Sequence, residues 1–311
     1  MADNDLNSIG HFELAIDGHP STAYLKTIDG GWIKAAVLKE PIGPENQQVT
    51  HHSTLEIEPF SIEIGLAGCQ GILQWIQESW NKDWGRRNGQ ITHANFDLKS
   101  TFEHEFNDAL ILETTFPALK ATGKDAAYLK VKILPQTVAT RLGSGNVVQS
   151  NVGTQQKMWM TNAFQFSIDG MDQVINTNSI DSFTVKQGVQ KHYIGKDRFP
   201  EIVPTKIERP TITGTIGLKY AGDLFKWHDQ VNGKETGTVG TAAERTGHLH
   251  FLAPNCIDVL FGLNFYHMSL TQVAIAPSTA NADGTKQVKF TIEIGEIQLD
   301  TITAGLDKPI P

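Results

Sequence analysis

Histidines are the residues of this chain whose spacing could support chemistry. His51 and His52 are adjacent, and one residue separates His248 from His250, so a strand would place that pair on one face. Such a pair can give a metal ion two ligands, but a site needs a third and usually a fourth group. No acidic residue or histidine stands at a recognised metal-site spacing from either pair. We therefore predict surface or interface histidines and no metal site.

Two Asp-Gly pairs, Asp17-Gly18 and Asp169-Gly170, could suggest paired catalytic carboxylates. Asp-Gly directly after a strand is typical of hairpin turns, and we interpret both pairs as turns. The chain has no Gly-x-Ser-x-Gly, no G-x-G-x-x-G in a strand-turn-helix context, no phosphate loop and no H-E-x-x-H. We therefore predict no catalytic residues, no cofactor and no enzyme activity.

Composition narrows the class of protein. The chain has 311 residues, of which 40% are hydrophobic and 19% charged, which fits a globular protein with room for two domains. A net charge of −8 argues against a surface built for nucleic acid, and no nucleic-acid partner is expected. Cys69 and Cys256 are the only cysteines, so no disulfide framework is expected, and we predict two buried thiols.

The beginning of the sequence and its apolar runs bear on location. The segment Met1–Asp5 is acidic and is not followed by the apolar core of a secretory signal. No apolar run approaches the ~20 residues that a membrane-spanning helix needs. These patterns predict a chain made in the cytoplasm that does not insert into a membrane.

An internal repeat is the strongest pattern in the sequence. Three separated segments recur at one constant offset of 152 residues: Phe12–Gly18 as Phe164–Gly170, Ile62–Leu66 as Gly214–Leu218, and Ile72–Trp75 as Leu224–Trp227. The second pair is an alternating run that ends in Gly-Leu, and the third pair is the amphipathic run with one Trp that follows it. We infer that the chain contains two copies of one unit.

Alternating apolar and polar residues predict that each unit is mostly β. Strands are predicted at Phe12–Ile16, Tyr24–Ile28, Trp32–Leu38, Leu55–Glu58, Phe60–Ile64, Ile91–Phe96, Thr101–Phe106, Ala109–Thr114 and Ala127–Thr137, and then at Phe164–Ile168, Phe183–Val185, Ile212–Ile216, His248–Leu252, Asn264–Ala276 and Gln287–Leu299. Pro117–Asp125 is predicted as a loop, and Tyr193–Lys206 as a variable, proline-containing region.

One amphipathic helix is predicted in each unit. The segments are Cys69–Trp80 and Gly222–Val231, where apolar residues recur at the helical period. We expect the inward-facing residues to anchor the helices in the core, and these are Ile72, Trp75, Ile76, Leu224 and Trp227. The predicted fold class is therefore mainly β, a barrel or sandwich with one flanking helix per unit.

Loops divide the chain. Lys39–Gln48 contains two prolines and a glycine within four residues, which predicts a long exposed loop or hairpin tip without a regular ladder. Residues 141–158 are rich in Gly, Ser and Asn and are the expected linker. The predicted domains are residues 1–140 and a second, diverged copy at 159–311.

The first unit resembles the tail tube protein family of contractile phages, which is related to the Hcp tube proteins of type VI secretion. The segments that carry the resemblance are Phe12–Gly18, Gly30-Gly31, Gly43–Asn46, Glu58–Leu66, Ile72–Gln77 and Asn107–Leu119. The resemblance covers about residues 10–140, with a weaker match over 160–300. The basic residue that usually precedes the glycine in this family is Ile64 here, and Ile216 in the second copy.

The resemblance implies small barrels that assemble side by side into rings, which stack as a hollow tube. It also implies that the loop after the third strand makes ring-to-ring contacts, with Lys39, Glu40, Pro44, Glu45, Asn46 and Gln47 as the candidate residues. Members of the family usually have one unit, so two units in one chain would let three chains form a pseudo-sixfold ring, although a hexamer of whole chains is also open.

The resemblance further implies a role as a tube protein, or as a component at the junction of tube and baseplate, in a phage tail or phage-tail-like injection particle. Its expected partners are itself and neighbouring tube, sheath or spike and hub proteins. Two other classes stay open. A carbohydrate- or cell-surface-binding β module would expose aromatic residues on one face, and a β-barrel hydrolase would bring His51, His52, His248 or His250 to a carboxylate in a cleft.

Overall fold

The structure is a computed structural model that describes residues 10–17, 19–43, 45, 47–65, 69–148, 159–231, 243–277 and 284–300. The described chain is mainly β, as the alternating patterns predict. No helix in these ranges is long and apolar enough to cross a membrane.

The first half contains ten strands and one α-helix within the described ranges. They are β1 (His11–Ile16), β2 (His19–Asp29), β3 (Ile33–Ile42), β4 (Gln47–Ile57), β5 (Phe60–Ile64), α1 (Gln70–Trp80), β6 (Arg87–Ala94), β7 (Ser100–Phe116), β8 (Leu119–Lys120), β9 (Leu129–Leu134) and β10 (Thr137–Leu142). The predicted domain boundary at residue 140 falls inside β10, and residues 149–158 of the predicted linker lie outside the described residues.

The second half contains nine strands and one α-helix within the described ranges. They are β11 (Phe164–Ile168), β12 (Thr177–Ile180), β13 (Phe183–His192), β14 (Glu201–Glu208), β15 (Thr211–Gly217), α2 (Gly222–Val231), β16 (Arg245–Leu252), β17 (Val259–Ile275), β18 (Gln287–Glu293) and β19 (Glu296–Asp300). Short 3₁₀ helices at Asp172–Asn176 and Leu218–Tyr220 complete it.

Six strands of the first half close into a barrel. The antiparallel pairs run β7–β6, β6–β1, β1–β2, β2–β5, β5–β9 and back from β9 to β7. Strand β7 has 17 residues, and it closes the barrel because its first half pairs with β6 and its second half with β9. Alternate residues of β5 (Phe60, Ile62 and Ile64) are buried, so the period-2 pattern directs one face to the core.

The second half repeats this pairing order. In the first half the paired strands follow the order β1, β6, β7, β9, β5 and β2, and in the second half the equivalent order is β11, β16, β17, β18, β15 and β12. In addition, β19 pairs with β17 as β10 pairs with β7. The barrel differs at one seam, where the Asp172–Asn176 3₁₀ helix lies in the connection between β11 and β12. The two halves therefore share their strand pairing as well as segments of sequence.

Close approaches between strands recur at equivalent places. Gly89 and Gly247, 158 residues apart, lie opposite Phe106 and Phe265 in the two long strands. A Cβ atom on Gly89 would lie 2.5 Å from the Phe106 ring, and one on Gly247 would lie 2.9 Å from the Ser167 carbonyl oxygen. Both positions require glycine because a side chain would collide with the neighbouring strand.

Both long strands also bend at equivalent residues. Asp108 of β7 has a φ of 51° and His267 of β17 has a φ of 54°, which lie in the left-handed region. At these residues β7 and β17 pass from one set of strand partners to the next. The bends therefore let one strand serve two parts of a closed sheet.

The two α-helices cover the barrels as amphipathic elements. All five predicted anchors lie in the core, and Trp75 and Trp227 are among its largest fully buried side chains. The Trp75 indole N–H donates to the carbonyl of Gly85 at 2.6 Å, and the Trp227 indole N–H donates to the carbonyl of Ala243 at 2.7 Å. Each indole thus fixes its helix to the segment that leads into the next strand.

Several predicted boundaries were wrong. The predicted strands Thr101–Phe106 and Ala109–Thr114 are one strand, β7, because the bend at Asp108 does not break the ladder. The predicted strand Gln287–Leu299 is two strands, β18 and β19, divided at Gly295. Sequence periodicity does not reveal whether a bend interrupts pairing, because that depends on the partner strands.

The prediction that Lys39–Gln48 lacks a regular ladder was wrong, although the segment does lie at the tip of a hairpin. The ladder between β3 and β4 continues to Ile42 opposite Gln47 and includes Pro41 opposite Gln48. Proline is tolerated there because β3 and β4 form a ribbon of two edge strands.

The prediction of two buried thiols was half wrong. Cys69 is buried before α1, whereas Cys256 is exposed. Cys256 lies in the turn between β16 and β17, where the Asn255 side-chain oxygen accepts the amide hydrogens of Ile257 and Asp258. That turn holds the thiol on the surface.

We expect Trp75→Phe to lower the free energy of unfolding by about 1–3 kcal/mol, because the carbonyl of Gly85 would lose its donor in a closely packed site. Trp227→Phe should have a similar effect through Ala243. Urea denaturation of each variant measures this change. The control is Trp32→Phe, at a half-exposed tryptophan, and an equal loss in the control would contradict the assigned role of the two indoles.

Candidate assembly interface

The fold brings the predicted histidines close to carboxylates that the sequence spacing did not indicate. The rings of His248 and His250 stack with centroids 6.1 Å apart on β16. The His248 Nε2 atom lies 3.7 Å from Asp169 Oδ1, and the His250 Nε2 atom lies 3.9 Å from Asp300 Oδ2. Sequence spacing did not indicate these carboxylates, since strand pairing joins residues that are far apart in sequence.

His248 lies between two protein side chains. His248 Nδ1 is 2.7 Å from Asn264 Oδ1, so both of its ring nitrogens face protein partners. Burial, and then the nearby His248, lowers the pKa of His250, while Asp300 opposes the shift. Among the described residues, no group of three or more His, Cys, Asp or Glu side chains is placed to hold a metal ion.

The other predicted pair lies on the exposed ribbon. His51 is exposed and its Nε2 atom lies 3.6 Å from Glu40 Oε2, and His52 is also exposed. These two histidines therefore lie on the exposed surface of β4, in a ribbon of two strands.

We refer to the ribbon of β3 and β4 as the arm. Its ladder extends from Ile33 opposite Ile57 to Ile42 opposite Gln47, which corresponds to about 30 Å at the rise of an extended strand. Half or more of the surface of Val37 and Leu38 is exposed. A two-stranded ribbon is marginally stable alone in water, and one that exposes apolar side chains is typical of an interaction element.

The six candidates for ring stacking lie at the tip of this arm or outside the described residues. Lys39 and Glu40 lie in β3, Gln47 begins β4, and all three are exposed. Glu45 lies in the turn, where its carboxylate accepts a hydrogen bond of 3.3 Å from the Nε2 atom of the Gln47 side chain. Pro44 and Asn46 lie outside the described residues.

An aromatic cluster holds the root of the arm. The ring of Trp32, the residue before β3, lies 4.7 Å from the ring of His104 and 6.0 Å from that of Phe102, both in β7. His104 also contacts His93 and the buried Phe60. The Nδ1 atom of His104 is buried without a hydrogen-bond partner. Burial and the neighbouring His93 lower the pKa of His104 to about 4.

The second half has a hairpin at the place that the arm occupies in the first, formed by β13 and β14. Unlike the arm, this hairpin pairs with another strand, the end of β7. Phe183 lies opposite Phe116, Thr184 opposite Thr115, and Lys186 opposite Glu113. The hydroxyls of Thr115 and Thr184 are 2.8 Å apart. A hairpin of the second half thus adds a strand to the sheet of the first.

An aromatic stack reinforces this junction. The Phe116 ring stacks on Phe183 with centroids 4.9 Å apart, and it also stacks on Phe251 at 5.8 Å and Phe261 at 6.3 Å. All four side chains are buried. The cores of the two halves are one contiguous cluster because this stack joins them.

Polar bonds fix the far part of the same hairpin. The Gln136 amide N–H donates to the carbonyl of Pro200 at 2.6 Å, and its oxygen accepts the Ile202 N–H at 3.0 Å. The Arg86 guanidinium donates to the carbonyls of Ile202 and Asp108. None of these junction residues was among the site residues predicted from the sequence, although the recurrence of the hairpin at the 152-residue offset was a signal that could have found them.

No protein-family model matches the chain, and no curated protein is similar to it. Solved structures that are similar to part of it include the sheath–tube complex of an extracellular contractile injection system, PVC, in the extended state. That structure is 16% identical with a TM-score of 0.35, over 44% of this chain and 88% of that one.

Two further structures are similar to part of the chain. The tube-terminating cap of the anti-feeding prophage is 11% identical with a TM-score of 0.37, over 50% of this chain and 97% of that one. Hcp1 from Flavobacterium johnsoniae is 14% identical with a TM-score of 0.27, over 44% of this chain and 94% of that one. At these TM-scores, the likenesses do not assign the chain to a family.

The buried His104 predicts a pH-dependent stability. Its pKa is about 4 in the folded chain and 6.5 when unperturbed, so the unfolded chain binds more protons between these values. The free energy of unfolding should therefore fall as pH decreases through this window, with a loss of about 2 kcal/mol by pH 5. Urea denaturation at pH 7 and pH 5 measures the loss.

The variant His104→Phe keeps an aromatic ring in the cluster and should remove most of this loss. His52→Phe, at an exposed histidine, serves as the control and should keep the wild-type pH dependence. If His104→Phe loses as much stability between pH 7 and pH 5 as the wild type, His104 is not the group responsible.

Proposed function

We propose that this protein is a structural component of a contractile phage tail or phage-tail-like injection system, and that it forms part of a ring around a central channel. The observation that carries the proposal is the junction between the two halves. Two similarly paired barrels lie side by side, and the hairpin of one adds to the long strand of the other. The resemblance of the first unit to tail tube proteins supports the same role.

The chain would act as two copies of one tube-like unit, divided near residues 141–158. Shared pairing order, shared bends and the two indole contacts support this division. Three chains would then supply the six units of a ring, which suits the junction between a threefold spike or hub and a sixfold tube. The protein would be made in the cytoplasm and would join a particle with neighbouring tube, sheath or hub proteins.

The first test of this role is the size and shape of the assembly. Light scattering after size exclusion should give a mass near three times the 34.2 kDa of the chain, and negative-stain images should show rings with six lobes. A stable monomer at high protein concentration would contradict the proposal. A ring of six whole chains would contradict only the closure by three chains.

A second test concerns stacking through the arm. The double variant Lys39→Ala and Glu40→Ala removes two charges near the arm tip, and we expect it to form rings that no longer stack into tubes. Lys124→Ala with Asp125→Ala removes the same two kinds of charge from an exposed loop and should stack as the wild type does. Electron micrographs that show equal tube lengths for both variants would exclude the arm tip from stacking.

A further inference from the structure

Several strand edges in the described part of the chain have no partner, and two of them match edges that are paired elsewhere in the chain. Strand β3 pairs with β4 on one side, and no described strand pairs with its other side. The last residues of β17, Gln272–Ile275, pair with β18 on one side, and no described strand lies on the other, which we call the open edge of β17. Unpaired edges favour the addition of a strand from another chain.

The first of these edges corresponds to one that is paired elsewhere in the chain. In the arm Lys34 lies opposite Glu56, and in the second hairpin Lys186 lies opposite Glu208, each 152 residues further on. The register also shifts at the same place, between residues 35 and 37 in β3 and between residues 187 and 189 in β13. The free side of β3 is therefore the counterpart of the side of β13 that pairs with β7.

The second edge has a paired counterpart as well. Leu110 of β7 lies opposite Leu134, and Ser269 of β17 lies opposite Glu293, each 159 residues further on. The register shifts follow at residues 111–113 and 270–272. The open edge of β17 is thus the counterpart of the β7 edge that receives β13.

We propose that the arm of one copy of this chain adds to the open edge of β17 in the next copy, as β13 adds to β7 within the chain. Transferring the internal register places Lys34 opposite Gln272, Ile33 opposite Val273 and Trp32 opposite Ala274. The ladder ends there, because Gly31 has a φ of 81°, outside the extended region. This interface rests on the proposed function, because it is the contact that would join copies of the chain into a ring.

Side-chain sizes fit this register. Within the chain, two threonines of equal size meet at Thr115 and Thr184, whereas the transferred register places the large Trp32 opposite the small Ala274. Ile33 is 48% exposed, but its counterpart Val185 is 2% exposed beneath the ladder with β7. Docking would bury Ile33 in the same way and remove an apolar side chain from water.

On the β17 side of the interface, an exposed apolar residue again corresponds to a buried one in the internal junction. Ile275 is 55% exposed, whereas its counterpart in β7, Phe116, is fully buried beside Phe183. The polar bonds of the internal junction are not repeated, because Gly295 and Glu244 stand where Gln136 and Arg86 stand in the first half. The contact between copies would therefore be held mainly by the ladder and its apolar side chains, and it should depend on concentration.

The two edges are complementary but different. A copy that gives its arm to one neighbour receives an arm from another, which is a heterologous, head-to-tail contact. Such contacts form closed rings when the rotation between copies closes, and open filaments when it does not. The partner is thus a second copy of this chain, and each copy makes two contacts.

Disulfide trapping tests the register. Lys34→Cys and Gln272→Cys, combined in a Cys256→Ser background, should form disulfides between chains, because opposed residues of antiparallel strands lie about 5 Å apart at Cα. Cys69 should not interfere, since burial raises its pKa to about 12. Lys186→Cys with Glu113→Cys should link within one chain and is the positive control.

The negative control pairs Lys34→Cys with Thr291→Cys. Thr291 lies opposite Gln272 on β18, one strand further from the arm, and two strand spacings of about 10 Å exceed the reach of a disulfide. Non-reducing gels should show linked multimers for the Lys34–Gln272 pair and monomers for both controls. Links in the Thr291 variant at the same level would overturn the register.

The outcomes separate the interface from the function. Rings without a Lys34–Gln272 link would overturn this interface and leave the proposed function standing. Monomers without a Lys34–Gln272 link, while the Lys186–Glu113 control links within the chain, would overturn both. Linked open filaments would support the interface and contradict the closed ring.

A charge substitution gives a second, independent readout. Ile33→Lys should weaken association at least ten-fold by light scattering, because the ladder would bury the new charge. Leu38→Lys changes a residue of the same arm whose counterpart, Gln190, is exposed in the internal junction, and it should leave association unchanged. Both residues are exposed in the single chain, so neither change should impair folding. Equal effects of the two changes would contradict the proposed interface.

Discussion

The pairing of β13 with the end of β7 is the contact on which the rest of the structure depends. It is a short ladder of four residue pairs, but the stack of Phe116 on Phe183, Phe251 and Phe261 lies directly beneath it. Backbone hydrogen bonds set the direction and register, and buried aromatic surface supplies most of the stabilisation. Without this junction, the first half would expose the end of β7 with Phe116, and the second half would expose β13 with Phe183.

This junction also determines which strand edges remain unpaired. Two units joined in this way use one hairpin and one edge, so the arm at one end and the open edge of β17 at the other are left over. Exposed edges and apolar ribbons are liabilities for a monomer. Their persistence here, with Ile33 and Ile275 in contact with solvent, is the physical reason to expect further copies of the chain.

The arm needs a rigid base if it is to position a tip about 30 Å away. That base consists of Trp32, packed on Phe102 and His104, together with the barrel strands beneath them. Keeping His104 buried without a partner for Nδ1 costs free energy. The cost is consistent with a cluster that fixes the direction of the arm.

The sequence by itself determined the local structure. Alternation placed most strands, the 3.6-residue period placed both helices with their buried tryptophans, and the constant offset identified the repeated segments. It did not reveal that Lys39–Ile42 continues a ladder, that β7 passes through Asp108 unbroken, or that Asp169 and Asp300 approach His248 and His250. These features depend on which strands pair across long separations. Only the tertiary structure decided that β13 pairs with β7 while the matching side of β3 has no partner among the described strands, because local periodicity carries no information about a partner strand.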